Sequence, residues 1–150
     1  MINRIALVLL YSLLFSQQLE LPKSAPSDQI VHHSNYTLNY SEKHEQAEWV
    51  AYTLSSSDVY GSVGRTNDFR ADPKVKTGSA SLSDYKGSGY DRGHLAPAGD
   101  MKSTYTAMSE SFYMSNMSPQ KAGFNRGIWK KLEGNVRNWA SDNGEIYVVT

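Results

Sequence analysis

The run Tyr90-Asp91-Arg92-Gly93-His94-Leu95-Ala96-Pro97-Ala98-Gly99-Asp100 is the densest concentration of chemistry-bearing side chains in the sequence. Arg92 and His94 stand two residues apart, so an extended backbone presents both on one face. A guanidinium offers a fixed fork of donors that suits phosphate oxygens, and a neutral imidazole accepts a proton near pH 7. A base beside an anion clamp is what hydrolysis of a phosphodiester requires. A lone histidine is commonly a satisfied structural residue; Arg92 and Gly93 beside it are what turn the reading toward chemistry.

A second cluster holds Ser115-Asn116-Met117-Ser118-Pro119-Gln120, then Phe124-Asn125-Arg126-Gly127, then Trp129-Lys130-Lys131-Leu132-Glu133. An asparagine opening a helix is ordinarily an N-cap. The alternative is a ligand for a hard cation, since an amide oxygen suits Mg²⁺, which keeps several of its own waters. Glu133 lies eight residues beyond Asn125, about 12 Å along a helix axis. That distance places it behind the ion's waters rather than on the ion.

These groups need elements to hold them. Residues 49–54 (Trp-Val-Ala-Tyr-Thr-Leu) are aromatic and β-branched and predict a strand, and residues 84–90 form a glycine-rich approach to a second one. Residues 112–116 predict a short apolar strand ended by Ser118-Pro119. From Asn125 to Ala140 the apolar positions Ile128, Trp129, Leu132, Val136, Trp139 and Ala140 recur at helical spacing, with Trp129 and Trp139 expected in the core. Asn125, Glu133 and Arg137 border that stripe along one edge. Residues 145–150 predict a final strand. The sum is an α+β domain with a central, mainly antiparallel sheet flanked by helices.

The chain has 150 residues, no Cys, and 15 Lys+Arg against 15 Asp+Glu. One domain with a modest core is the expectation, and thiolate metal sites and cysteine nucleophiles are excluded. The neutrality is uneven: residues 65–137 hold twelve of the fifteen basic residues but seven of the fifteen acidic ones. This basic centre suits an anionic substrate. Residues 1–16 pair a basic start with an apolar run too short to span a bilayer, the pattern of a signal peptide cleaved between residues 16 and 25. That reading implies a secreted or periplasmic protein without a membrane anchor. Residues 17–35 read as a flexible linker, and 36–150 as the domain, incomplete at its C-terminal end. His32, His33 and His44 read as solvated, and Tyr36, Tyr40, Tyr52 and Tyr60 as packing residues.

The blocks Ser88 to Ala98, Phe112 to Gln120, and Phe124-Asn125 through Trp129, Leu132-Glu133 and Arg137 together closely resemble the DNA/RNA non-specific endonucleases. This is the ββα-metal group that includes secreted sugar-non-specific nucleases and mitochondrial endonuclease G. Motif order and spacing are kept from Trp49 to Thr150. The resemblance implies a ββα-metal active site that cuts DNA and RNA to 5′-phosphate ends. It implies that His94 is the general base and Asn125 the protein ligand of a hydrated Mg²⁺ or Mn²⁺, with Asn116 and Glu133 supporting the metal site. Arg92 and Arg137 correspond to arginines near the scissile phosphate. Arg65 corresponds to a third, with Arg70 competing for that place. An inactive nucleic-acid-binding domain of the same fold is the alternative, and the oligomeric state is unassigned.

Overall fold

The structure, a computed structural model, describes residues 21–150 apart from Pro26, so the leader reading of residues 1–16 lies outside the described residues. The central sheet is built on β3 (Gln46–Ser55), whose alternation buries Val50, Tyr52 and Leu54. On one side it pairs with β2 (Thr37–Ser41), which pairs in turn with β1 (Gln29–His32); on the other it pairs with β6 (Glu145–Val149). Every pairing is antiparallel. Leu38, Val50, Tyr52 and Leu54 supply the sheet's share of the core, and Met101, Ala107 and Ala140 close it from the other layer.

A separate two-stranded unit carries Arg92 and His94. β4 (Asp91–His94) and β5 (Met117–Gln120) pair antiparallel with Arg92 opposite Pro119 and His94 opposite Met117. A π-helical turn, Phe124–Trp129, runs directly into α4 (Lys130–Asn143), which stops at Gly144, where φ is 82°. A glycine ends the helix there because only it adopts that backbone without strain. Short helices α1 (Ser56–Val59), α2 (Leu82–Tyr85) and α3 (Tyr105–Glu110) fill the connections. Thr104 caps α3 by accepting from Ala107 N–H at 3.1 Å. Among the described residues, no helix is long and apolar enough to cross a membrane.

Several expectations need correction. The stretch 17–35 ends in structure, because the apolar pair Ile30-Val31 finds strand partners in Asn39 and Leu38. His33 is not solvated: its side chain is fully buried, its Nε2 lies 2.9 Å from Asp72, and its ring packs against Tyr36 and Tyr113. Residues 112–116 are not a strand. A 3₁₀ turn, Met114–Asn116, delays the extended segment to Met117, so the Asn116 side chain turns inward. The apolar stripe of 125–140 is only partly covered: Val136 and Ala140 meet the core, while Leu132, Ile128 and Trp139 face outward, Trp139 being 50% exposed. Tyr60 likewise lies on the surface.

Candidate active site

β4 presents its residues as extended spacing requires. Gly93 faces Gln120 so closely that a Cβ would lie 2.1 Å from the Gln120 side chain, which leaves glycine as the residue that fits between Arg92 and His94. On the other face, the His94 ring stands edge-on to Phe112 at 5.0 Å and near Phe69 at 5.9 Å. The same two phenyl rings carry the arginines. The Arg92 guanidinium lies 4.1 Å from the Phe69 centroid, and that of Arg65 lies 4.7 Å from Phe112. Phe69 and Phe112 are thus a shared platform that fixes the His94 imidazole between two cations. Phe112 opens a motif block without its role being visible there, and Phe69 lies outside the blocks and looks like an ordinary core residue.

The environment of His94 is dry and positive. The residue is 7% exposed, and its Nε2 is buried with no hydrogen-bond partner among the described residues. Leaving such an atom unmade costs stability, so its persistence asks for a functional explanation. Burial, with the charges of Arg65 and Arg92 adding to it, depresses the imidazole pKa to about 3. At neutral pH His94 is uncharged and able to accept a proton.

Asn116 holds the backbone that follows His94. Fully buried, it accepts from Ala96 N–H at 2.8 Å and donates to the carbonyls of Ala96 and Ser111, both at 2.9 Å. Its amide is therefore committed to backbone, and it holds the segment that follows His94. Trp129 adds a second tie, its Nε1 donating to the His94 carbonyl at 3.2 Å.

Asn125 sits inside the π-helical turn, one turn past the cap position that its type suggests. Its Nδ2 donates to Asp91 at 3.0 Å, so the amide oxygen is the end left to face a cation. Asp91 also receives a bidentate pair from Arg126 at 2.7 and 2.8 Å. The Arg126 and Asn125 hydrogen bonds hold the Asp91 carboxyl below its ordinary value. β4 thus carries both His94 and, three residues earlier, the carboxylate that orients the Asn125 amide.

Glu133 is half-buried, and its desolvation raises the carboxyl pKa against the opposing pull of Arg137. Arg137 is anchored through one end of its guanidinium. Its Nη1 donates to the buried Asp100 at 2.7 Å, Tyr52 donates to the other Asp100 oxygen at 2.8 Å, and Gly99 leaves room for the guanidinium. Burial of Asp100 raises its carboxyl pKa despite both hydrogen bonds. Arg65 and Arg70 separate cleanly. Arg70 is tied to Asp68 at 2.8 Å, to Ser109, and over the Tyr113 ring, whereas Arg65 acts on both His94 and Glu133. The site brings together His94, Arg92, Arg65 and, through Asp91, Asn125; Asn116 and Arg137 stand behind it as supports.

Residues 17–150 match the family described as DNA/RNA non-specific endonuclease. Nuclease C1 of Cunninghamella echinulata var. echinulata is 40% identical over 121 residues, covering 77% of this chain and 48% of that protein. The mitochondrial nuclease EXOG of Danio rerio is 39% identical over 132 residues, covering 87% of this chain and 38% of its own length. Among solved structures, a chain of the EndoG/EndoGI complex superposes with a TM-score of 0.76 at 35% identity, covering 81% of this chain and 52% of that one. The chain therefore spans about half the length of these relatives or less.

Proposed function

Because this chain belongs to the DNA/RNA non-specific endonuclease family, we propose that its site hydrolyses phosphodiester bonds of DNA and RNA with little regard to sequence. The observation that carries this reading is the buried, uncharged imidazole of His94 set between Arg65 and Arg92. The donor set also fits a hydrated Mg²⁺ or Mn²⁺. One amide oxygen on Asn125, aimed by Asp91, is a hard ligand of the kind such an ion accepts while keeping most of its waters. When bound, the ion supplies charge neutralisation at the reacting phosphate.

The chain's own groups do the rest. Arg92 and Arg65 receive the phosphate oxygens. His94 takes a proton from the attacking water at Nδ1, since Nε2 is sealed from solvent. The new bond joins the water oxygen to phosphorus, and the bond to the 3′-oxygen breaks with its electron pair going to that oxygen, which takes a proton from solvent, so the products are a 3′-hydroxyl and a 5′-phosphate. Binding an anion between two arginines offsets the charges that help depress the His94 pKa, so substrate makes the base stronger at the moment it is needed. Glu133 and Arg137 keep α4 and the Asp100 turn in register behind the site. Contacts that stop at the backbone position a substrate without reading it, which supports weak sequence preference.

The test is degradation of plasmid DNA and of RNA with Mg²⁺, with EDTA, and by the His94→Ala variant. We expect cleavage with Mg²⁺, none with EDTA, and a drop of about 10²-fold or more in His94→Ala. A folded protein that binds DNA and cuts neither polymer with Mg²⁺ or Mn²⁺ would instead be a binding domain of this fold.

A further inference from the structure

A hollow of about 500 Å³ opens beside the two catalytic elements, with Arg92 and Asn125 in its wall and Tyr85, Lys86, Tyr90 and Leu82 around the rest. Its volume is within the range of small-ligand sites. Leu82 is 45% exposed and Tyr90 is 42% exposed, so two large apolar surfaces stay open to solvent at one place next to the scissile position. The stretch Lys86-Gly87-Ser88-Gly89 makes this possible. Gly87 and Gly89 adopt φ of 75° and 79°, and that tight turn sets Lys86 and Tyr90 on the same hollow.

The lining is chemically mixed in a specific way. Lys121 Nζ lies 4.0 Å from the Tyr90 ring centroid and is not among the residues lining the hollow, which the Tyr90 ring itself helps to line. The part of the ring that lines the hollow is left for a second planar group. Tyr85, like any tyrosine at working pH, keeps its O–H and can donate from the wall of the hollow. Asp91, the carboxylate in the wall, is already satisfied by Arg126 and Asn125, and Lys86 and Arg92 leave the rim cationic. An aromatic face, a phenol donor and two cations together suit a nucleotide.

We propose that this hollow is a subsite for an unpaired nucleotide of the substrate strand, with its base stacked on Tyr90 and its phosphate met by Lys86. The subsite rests on the nuclease reading and adds a preference to it. A base that stacks on a side chain has left its neighbours in the helix, which single strands do freely and duplexes do at a cost. The site therefore favours single-stranded or frayed substrate.

The experiment uses the whole chain in EDTA, with single-stranded and duplex oligonucleotides that carry 2-aminopurine as a stacking reporter. Tyr90→Ala should weaken single-strand binding at least about fivefold while Tyr90→Phe stays within about twofold, because the ring rather than the hydroxyl makes the contact. The duplex should respond less. With Mg²⁺, the wild type should cleave an intact single strand with a lower KM than one carrying abasic sites, and Tyr90→Ala should erase that difference. Unchanged binding in Tyr90→Ala, or an equal loss on single strand and duplex, overturns the subsite. If no protein cleaves with Mg²⁺, the nuclease reading fails, and the binding data in EDTA still decide the subsite.

Discussion

The two halves of the site solve opposite problems. The His94 half is dry: the imidazole is buried between two phenyl rings, its Nε2 is left without a partner, and burial with two arginines keeps it uncharged. The Asn125 half is wet and fully bonded: Asp91 takes three hydrogen bonds from Asn125 and Arg126, and Arg126 is largely exposed. A proton acceptor near pH 7 has to stay neutral, which desolvation enforces. An ion that keeps its waters needs solvent and an aimed ligand, which charge-assisted hydrogen bonds provide. Both halves hang from the four residues of β4, so they are close in space yet held by different forces and should fail separately.

The largest expected effect comes from removing the support of the dry half. Asn116→Ala leaves Ala96 N–H and the carbonyls of Ala96 and Ser111 unpaired in a buried place, at a cost of about 2–4 kcal/mol. Thermal or urea unfolding measures it, and a loss below about 1 kcal/mol would show that Asn116 is not the anchor described. In the same variant Asp91, Asn125 and Arg126 keep their contacts, so Mn²⁺ binding to the folded protein should persist.

A smaller effect, confined to acid pH, sharpens the comparison from the side of charge. The folded site holds His94 at about 3, far below the ordinary value of about 6.5 that the unfolded chain regains. Between those values the unfolded state binds the extra proton, so the His94 contribution to stability is present above pH 6.5 and is lost as pH falls toward 3. For catalysis, the acid limb of kcat/KM, which reports free enzyme, should lie below pH 5. The acid limb of kcat should lie at higher pH, because bound phosphate offsets Arg65 and Arg92. Coincident limbs near pH 6.5 would mean that the imidazole is solvated in solution.

The same contrast explains what could be read from residue types. Arg92, Gly93, His94 and Asn125 were legible because their types and spacing are unusual for plain structure, and the strands at Gln46–Ser55 and Glu145–Val149 because β-branched and aromatic runs have few other uses. The supports were harder. The backbone contacts of Asn116 depend on a 3₁₀ turn, and the Arg137 contact depends on Asp100 being buried far along the chain, so neither shows in residue types. Phe69, Phe112, Tyr52 and His33 act through contacts made across long stretches of chain, and local periodicity carries no trace of those. The helix was legible as a helix, but its exposed Trp139 and Leu132 were not, since periodicity marks an apolar stripe without saying what covers it.

The separation of the two halves is tested most directly by a Mn²⁺ titration of wild type, His94→Ala and Asp91→Ala, followed by electron paramagnetic resonance at pH 7. The account predicts that His94→Ala binds Mn²⁺ within about twofold of wild type, whereas Asp91→Ala, with Asn125 no longer aimed, binds about tenfold or more weakly. Equal weakening in both variants, or wild-type affinity in Asp91→Ala, would contradict it.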